Sequence, residues 1–133
     1  MITTIDPDTV PPPPGGWYSH AARVETGAGA LLFVSGQVAL DDDGDIVGAG
    51  DMERQADRVF TLLGRILADQ GAGFGDVVGI RTFVTDMGLL AAYGAVRARY
   101  LTGPPPTSTT VEVSRLFRPE ALVEVDLVAA IGG

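Results

Sequence analysis

Thr107-Ser108-Thr109-Thr110-Val111-Glu112-Val113-Ser114-Arg115-Leu116 is followed by Phe117-Arg118-Pro119-Glu120 and then by Ala121-Leu122-Val123-Glu124-Val125-Asp126-Leu127-Val128. The two outer segments alternate and are rich in β-branched residues, as strands are. Pro119 and its polar neighbours suit the connection between them. In the second segment Val123, Val125 and Leu127 share one face, while Leu122, Glu124, Asp126 and Val128 share the other. Two carboxylates on an otherwise apolar strand are costly to bury without partners. Either this is an edge or solvent-facing strand with a wet polar face, or a carboxyl group is held at a pocket rim for acid or base work.

Upstream, Gly103 and the prolines 104–106 stop a helix expected over Leu89–Leu101, with Leu90, Tyr93 and Val96 on its packing side. A strand is expected over Val77–Asp86, where Arg81 and Phe83 share a face. Before it, Asp51 is a fitting N-cap for a helix over Met52–Gln70, and Gly71 suits its end. Ala56, Val59, Phe60, Leu63, Ile66 and Leu67 form its apolar stripe. Ala21–Thr26 and Ala30–Gln37 make a hairpin about Gly27-Ala28-Gly29. Residues 1–16, with four consecutive prolines from Pro11, read as an extended arm on the surface ahead of a single domain over 17–133.

The order is therefore β-β-α-β-α-β-β, an α+β fold with two helices on one face of a mixed sheet. Leu31-Leu32-Phe33-Val34 is apolar on both faces. Two helices cannot cover both, so an oligomer is expected to bury the second.

Several pieces in this order resemble the Rid (YjgF) family: Tyr18-Ser19-His20-Ala21, Phe33-Val34-Ser35-Gly36-Gln37, Thr82-Phe83-Val84-Thr85-Asp86, and the segment from Pro104 through Asp126. The resemblance covers nearly everything from Tyr18 onward. It implies a chorismate-mutase-like protomer and a homotrimer with three pockets between subunits. In the best-known branch these pockets hydrolyse reactive enamines and imines. By resemblance, Glu124 matches the carboxyl group that positions or activates water, and Tyr18, Ser35 and Gly36 shape the pocket. The deaminase branch holds a substrate carboxylate with an arginine whose place falls on Ser108, and often has a polar residue where Gly94 stands here. Serine carries no charge and cannot replace a bidentate guanidinium, which puts the standard 2-imino acid activity in doubt. Arg81 is a salt-bridge residue by default and a candidate replacement anion site. His20 and Phe83 complete the candidate binding residues.

Composition narrows the chemistry. With 133 residues, 46% apolar and 20% charged, the chain has the makeup of one globular domain. No apolar run reaches the ~18–20 residues of a membrane span, and no basic-then-apolar leader opens it, so a cytoplasmic location is expected. There is no cysteine, which removes thiolate nucleophiles and thiolate metal ligands. All nine basic residues are arginine, so no lysine side chain can form a Schiff base, and an imine would have to arrive ready-made. One histidine excludes multi-histidine metal sites. A net charge of −8 without a basic run argues against nucleic acid as a partner.

Asp41-Asp42-Asp43-Gly44-Asp45 fails the calcium-loop spacing, because Ala39 falls where the first carboxylate is needed. The glycines at 71, 73 and 75 follow a helix rather than a strand and do not form a phosphate loop. Neither a cofactor nor a metal is expected. Two functions remain: hydrolysis of an imine, enamine or related metabolite, or a trimer that only binds a metabolite or a protein.

Overall fold

The structure, a computed structural model, describes residues 1–132. Eight elements are used below: β1 (Ile2–Ile5), β2 (Ala21–Glu25), β3 (Gly29–Gln37), α1 (Met52–Asp69), β4 (Val77–Val84), α2 (Leu90–Tyr100), β5 (Thr107–Glu112) and β6 (Val123–Gly132). The strands form one mixed sheet in the order β1-β2-β3-β6-β4-β5. Only β4 and β5 are parallel, and α2 is the crossover that a parallel pair requires.

Two expectations change. The expected β-β-α-β-α-β-β order lacks its first strand: residues 2–5 of the arm pair with β2, from Ile2 opposite Val24 to Ile5 opposite Ala21. Val10 and Pro11 are buried as well. Nor is β6 an edge strand. It lies between β3 and β4, antiparallel to both. Its carboxylates therefore sit over the middle of the sheet.

Both helices pack on one face, where alternation delivers Leu32 and Val34 from β3, Ile80, Thr82 and Val84 from β4, and Val123, Val125 and Leu127 from β6, all buried. The expected α1 stripe is buried throughout. Its Asp51 cap accepts the Arg54 backbone N–H at 3.2 Å, satisfying one of the donors a helix start leaves free. Phe60 stacks on Tyr100 at 5.2 Å between ring centroids and contacts Phe74 and Tyr93, which ties α1 to α2. Removing such a buried aromatic ring costs about 3–5 kcal/mol. Tyr93 also bonds Thr82 across the helix–sheet interface, 2.7 Å between hydroxyl oxygens.

One buried polar side chain on α1 matters for the site. Gln55 donates to the Glu120 carbonyl at 2.8 Å and to the Gly48 carbonyl at 3.2 Å, and accepts the Leu122 N–H at 2.8 Å. It replaces missing ladder bonds at the start of β6 and fixes the strand two residues before Glu124.

The opposite sheet face is open. Phe33 is 45% exposed, and a groove of about 710 Å³ runs over Ala22, Phe33, Arg81, Thr109, Asp126 and Val128.

Candidate functional site

The ladder between β3 and β6 is regular up to Val34 opposite Leu127, and the next pair is Gln37 opposite Val125. Three steps on β3 are matched by two on β6, so Ser35-Gly36 forms a bulge. Glu124 occupies the space the bulge opens. A Cβ added at Gly36 would lie 2.8 Å from the Glu124 carboxyl carbon and 3.0 Å from its Cγ, closer than side chains pack. The Gly36 backbone thus lies directly beneath the Glu124 side chain, and a methyl group here would displace the carboxyl end.

Tyr18, Ser35, Gly36, Phe117 and Glu124 line a pocket of about 250 Å³. Among the described residues the Glu124 carboxylate has no hydrogen-bond donor and no cation within salt-bridge reach. Burial raises its pKa above the usual carboxylate range, and the charge of Asp126 raises it further. Burial also raises the Tyr18 phenol, the Glu124 charge adds to this, and Arg118 opposes both. Ser35 donates its hydroxyl proton to the Ser19 carbonyl at 2.6 Å, which leaves the oxygen only as an acceptor toward the pocket.

His20 lies behind this corner. Its Nε2 is 2.6 Å from the Pro11 carbonyl, which can only accept, so Nε2 carries the proton. In the neutral ring Nδ1 then accepts from the Gln37 amide at 3.1 Å, and the same amide donates to the Ser35 carbonyl at 3.1 Å. His20 thus ties the proline arm to the bulge, and Tyr18 meets the ring edge-on at 6.4 Å between centroids.

Arg81 is not a free cation. It forms a fork onto Asp126, Nε to Oδ1 at 3.0 Å and Nη2 to Oδ2 at 2.7 Å, on the open face. Phe83 lies beside it, its ring 5.8 Å from the guanidinium and its backbone opposite Glu124, outside the pocket lining. Ser108 is opposite Ile80 on the far strand β5 and accepts a hydrogen bond from Arg97 Nη1 at 3.1 Å. The structure therefore gathers Glu124, Tyr18, Ser35 and Gly36 at one corner and keeps His20, Arg81, Phe83 and Ser108 out of it. Phe117, Gln37 and Gln55 were missed. Phe117 carried a signal, a large aromatic residue inside an otherwise polar turn.

Fold and corner together define a small α+β protein of the chorismate-mutase-like type, with a carboxylate set into a sheet bulge. The chain belongs to the family described as Endoribonuclease L-PSP, whose pattern matches residues 9–131, and it is a YjgF/Rid-type member as the resemblance implied. It is 42% identical over 114 residues to Protein DfrA of Myxococcus xanthus, covering 86% of this chain and 85% of that one. It is 31% identical over 120 residues to the 3-aminoacrylate deaminase RutC of Acinetobacter baylyi, covering 90% and 91% respectively. The crystal structure of the Rid-family protein YyfA of Yersinia pestis, of unknown function, superposes with a TM-score of 0.87 at 28% identity, over 98% of this chain and all (100%) of that one. Among the described residues no helix is long and apolar enough to cross a membrane.

Proposed function

We propose that the Glu124 corner hydrolyses the C=N bond of a small imine or of the imine tautomer of an enamine. The observation that carries this is the unpaired, half-buried carboxylate with a raised pKa, facing a pocket through a bulge. Glu124 takes a proton from water as the water oxygen bonds to the imine carbon, and the nitrogen takes a proton from solvent. The tetrahedral adduct then breaks its C–N bond as Glu124 returns its proton to the leaving amine and the adduct's hydroxyl releases its proton to solvent, giving a carbonyl compound and ammonia. A carboxyl group with a raised pKa suits both halves, because it is a stronger base than an ordinary carboxylate when it takes the proton and holds that proton for the return step. The deaminase named among the relatives supports this reaction class.

The working unit is a homotrimer. The open apolar sheet face with its long groove supports burial against further copies, which would close the shallow Glu124 pocket from outside. A second reading, a trimer that binds without turnover, is favoured by Ser108 standing where the deaminase branch has a guanidinium.

The test is release of ammonia and carbonyl product by the purified protein. One substrate is 2-iminopropanoate, made in situ by an amino-acid oxidase, and the other is an imine without a carboxylate. Turnover that Glu124→Gln abolishes with the assembly intact supports hydrolysis. Turnover equal in both proteins removes Glu124 from the mechanism. No turnover with saturable binding supports the second reading.

A further inference from the structure

We infer that His20 is a positioning residue for Glu124: the proline arm fixes its tautomer, and that tautomer holds the bulge beneath the Glu124 side chain. His20 and Gln37 are only 4% and 5% exposed, and they share the wall of a small cavity with Val38, Leu40 and Leu62. The cavity holds about 10 Å³, no more than one water needs, so solvent does not stand in for a lost partner. Packing alone does not call for this polarity, since an apolar pair of similar shape fills such a space at nearly the same stability.

A single line of donors and acceptors runs through the pair. At one end the Pro11 carbonyl, which only accepts, takes the Nε2 proton at 2.6 Å. At the other end the Ser35 carbonyl, which also only accepts, takes one proton of the Gln37 amide at 3.1 Å. The second proton of that amide meets Nδ1 at 3.1 Å. Each end fixes the direction of the line on its own, and the two agree on a ring with Nε2 protonated and Nδ1 bare. A ring with its proton on Nδ1 would point a donor at the Gln37 amide. Turning that amide over would set its oxygen against the Ser35 carbonyl.

What the line holds is one peptide plane. The Ser35 carbonyl belongs to the rigid peptide that continues into Gly36, whose backbone lies beneath the Glu124 side chain. The Ser35 N–H is bound as well, to the His20 carbonyl at 2.8 Å. His20 thus grips the bulge once from its backbone and once, through Gln37, from its ring. Only the ring contact depends on the arm. Without Pro11 the ring proton is no longer held on Nε2, and Nδ1 stops being a dependable acceptor. The arm therefore acts on Glu124 although none of residues 1–16 lines its pocket.

The test separates the two sides of the ring. In His20→Asn the new amide oxygen takes the place of Nδ1 and always accepts, but no donor reaches Pro11. In His20→Gln the new amide nitrogen takes the place of Nε2 and donates to Pro11, but nothing accepts from Gln37. Nitrogen NMR of the ring, amide exchange of residues 2–10 and carbon NMR titration of the Glu124 carboxyl are read on the full chain, without substrate. The wild-type ring is expected to carry its proton on Nε2 alone. His20→Asn should speed arm exchange at least roughly tenfold and leave the Glu124 titration in place. His20→Gln and Gln37→Met should keep arm exchange within about twofold and move the Glu124 titration toward that of an ordinary carboxylate. Val10→Ala, which loosens the buried arm beside Pro11, should move the titration in the wild type and not in His20→Asn. A wild-type ring protonated on Nδ1 overturns the positioning role, and needs no variant to be seen. So does a Glu124 titration that moves equally in His20→Asn and His20→Gln, or in neither. Equal shifts from Val10→Ala in both backgrounds overturn the control by the arm.

The consequence for turnover rests on the proposed hydrolysis. His20→Gln should lower kcat about tenfold with KM within about twofold, while His20→Asn keeps both. A Glu124 titration that follows the ring on a protein without turnover keeps the positioning and removes the reaction. Glu124-dependent hydrolysis with a titration indifferent to the ring does the opposite.

Discussion

Glu124 and Asp126 are two residues apart on the same face of β6, and their circumstances are opposite. Asp126 is 17% exposed yet fully compensated by the fork of Arg81, which is itself 66% exposed. Glu124 has no such partner and is pressed over the backbone of Gly36. The neighbours on adjacent strands make the difference. Opposite Asp126, β4 offers an arginine, whereas opposite Glu124 it offers Phe83. On the other side the bulge leaves Glu124 facing a pocket. Burial without a partner raises the Glu124 pKa above the ordinary carboxylate range, whereas both oxygens of Asp126 are taken by the Arg81 fork. The same strand face thus carries one paired carboxylate and one left without a partner.

The comparison can be broken first at Glu124. Glu124→Gln should lower turnover at least about 100-fold with the assembly unchanged by sedimentation. Asp126→Asn should keep measurable turnover, and equal losses in the two variants would erase the distinction. The next largest effect is at the bulge. Gly36→Ala should destabilise the wild type by about 1–3 kcal/mol in chemical denaturation, as overpacking does. It should cost clearly less in a Glu124→Ala background, since the clash is with that side chain; equal costs would place the strain elsewhere.

Stability against pH gives a smaller effect with a defined sign. The pKa of Glu124 is raised by folding, so its contribution to stability is fully present below the ordinary carboxylate pKa and is lost as pH rises through the raised one. Glu124→Gln should therefore raise the Tm at neutral pH, with the gain fading in acid. Thermal scans across that range check it, and a lower neutral-pH Tm would contradict the burial argument. The smallest effect is at Asp126→Asn, which leaves the largely solvent-exposed Arg81 without its partner and should cost under about 1 kcal/mol. It also removes a negative charge beside Glu124, so the acid limb of the kcat/KM profile should move to lower pH.

Much of this was readable from the chain because it depends on local period and chemistry. The alternation of 122–128, the α1 stripe and the Asp51 cap are each set by near neighbours, and each is found where expected. β1 was not legible, because Ile2-Thr3-Thr4-Ile5 becomes a strand only through pairing with residues some twenty positions on. The central place of β6 was hidden for the same reason: sequence order puts it beside β5, while pairing puts it between β3 and β4. At the site, Ser35, Gly36 and Glu124 were legible through resemblance and alternation. The role of Gln55 was not, since a lone amide on an apolar helix face gives no hint of the carbonyl it meets 65 residues later. Arg81 read as a salt-bridge residue by default, and it is one, but its partner 45 residues away was not legible.

The bulge at Ser35-Gly36 also fixes the length of β3. Strand alternation works like a reading frame, and the bulge inserts one letter into it. Deleting Gly36 would leave the chain two choices. It could close the ladder and shut out Glu124, or keep the pairing near Gln37 and turn Leu32 and Val34 from the core toward the open face. Substitutions at this corner are thus graded in their effects, whereas insertions and deletions are all-or-none. Among homologous chains, β3 should therefore tolerate changes in composition far better than changes in length.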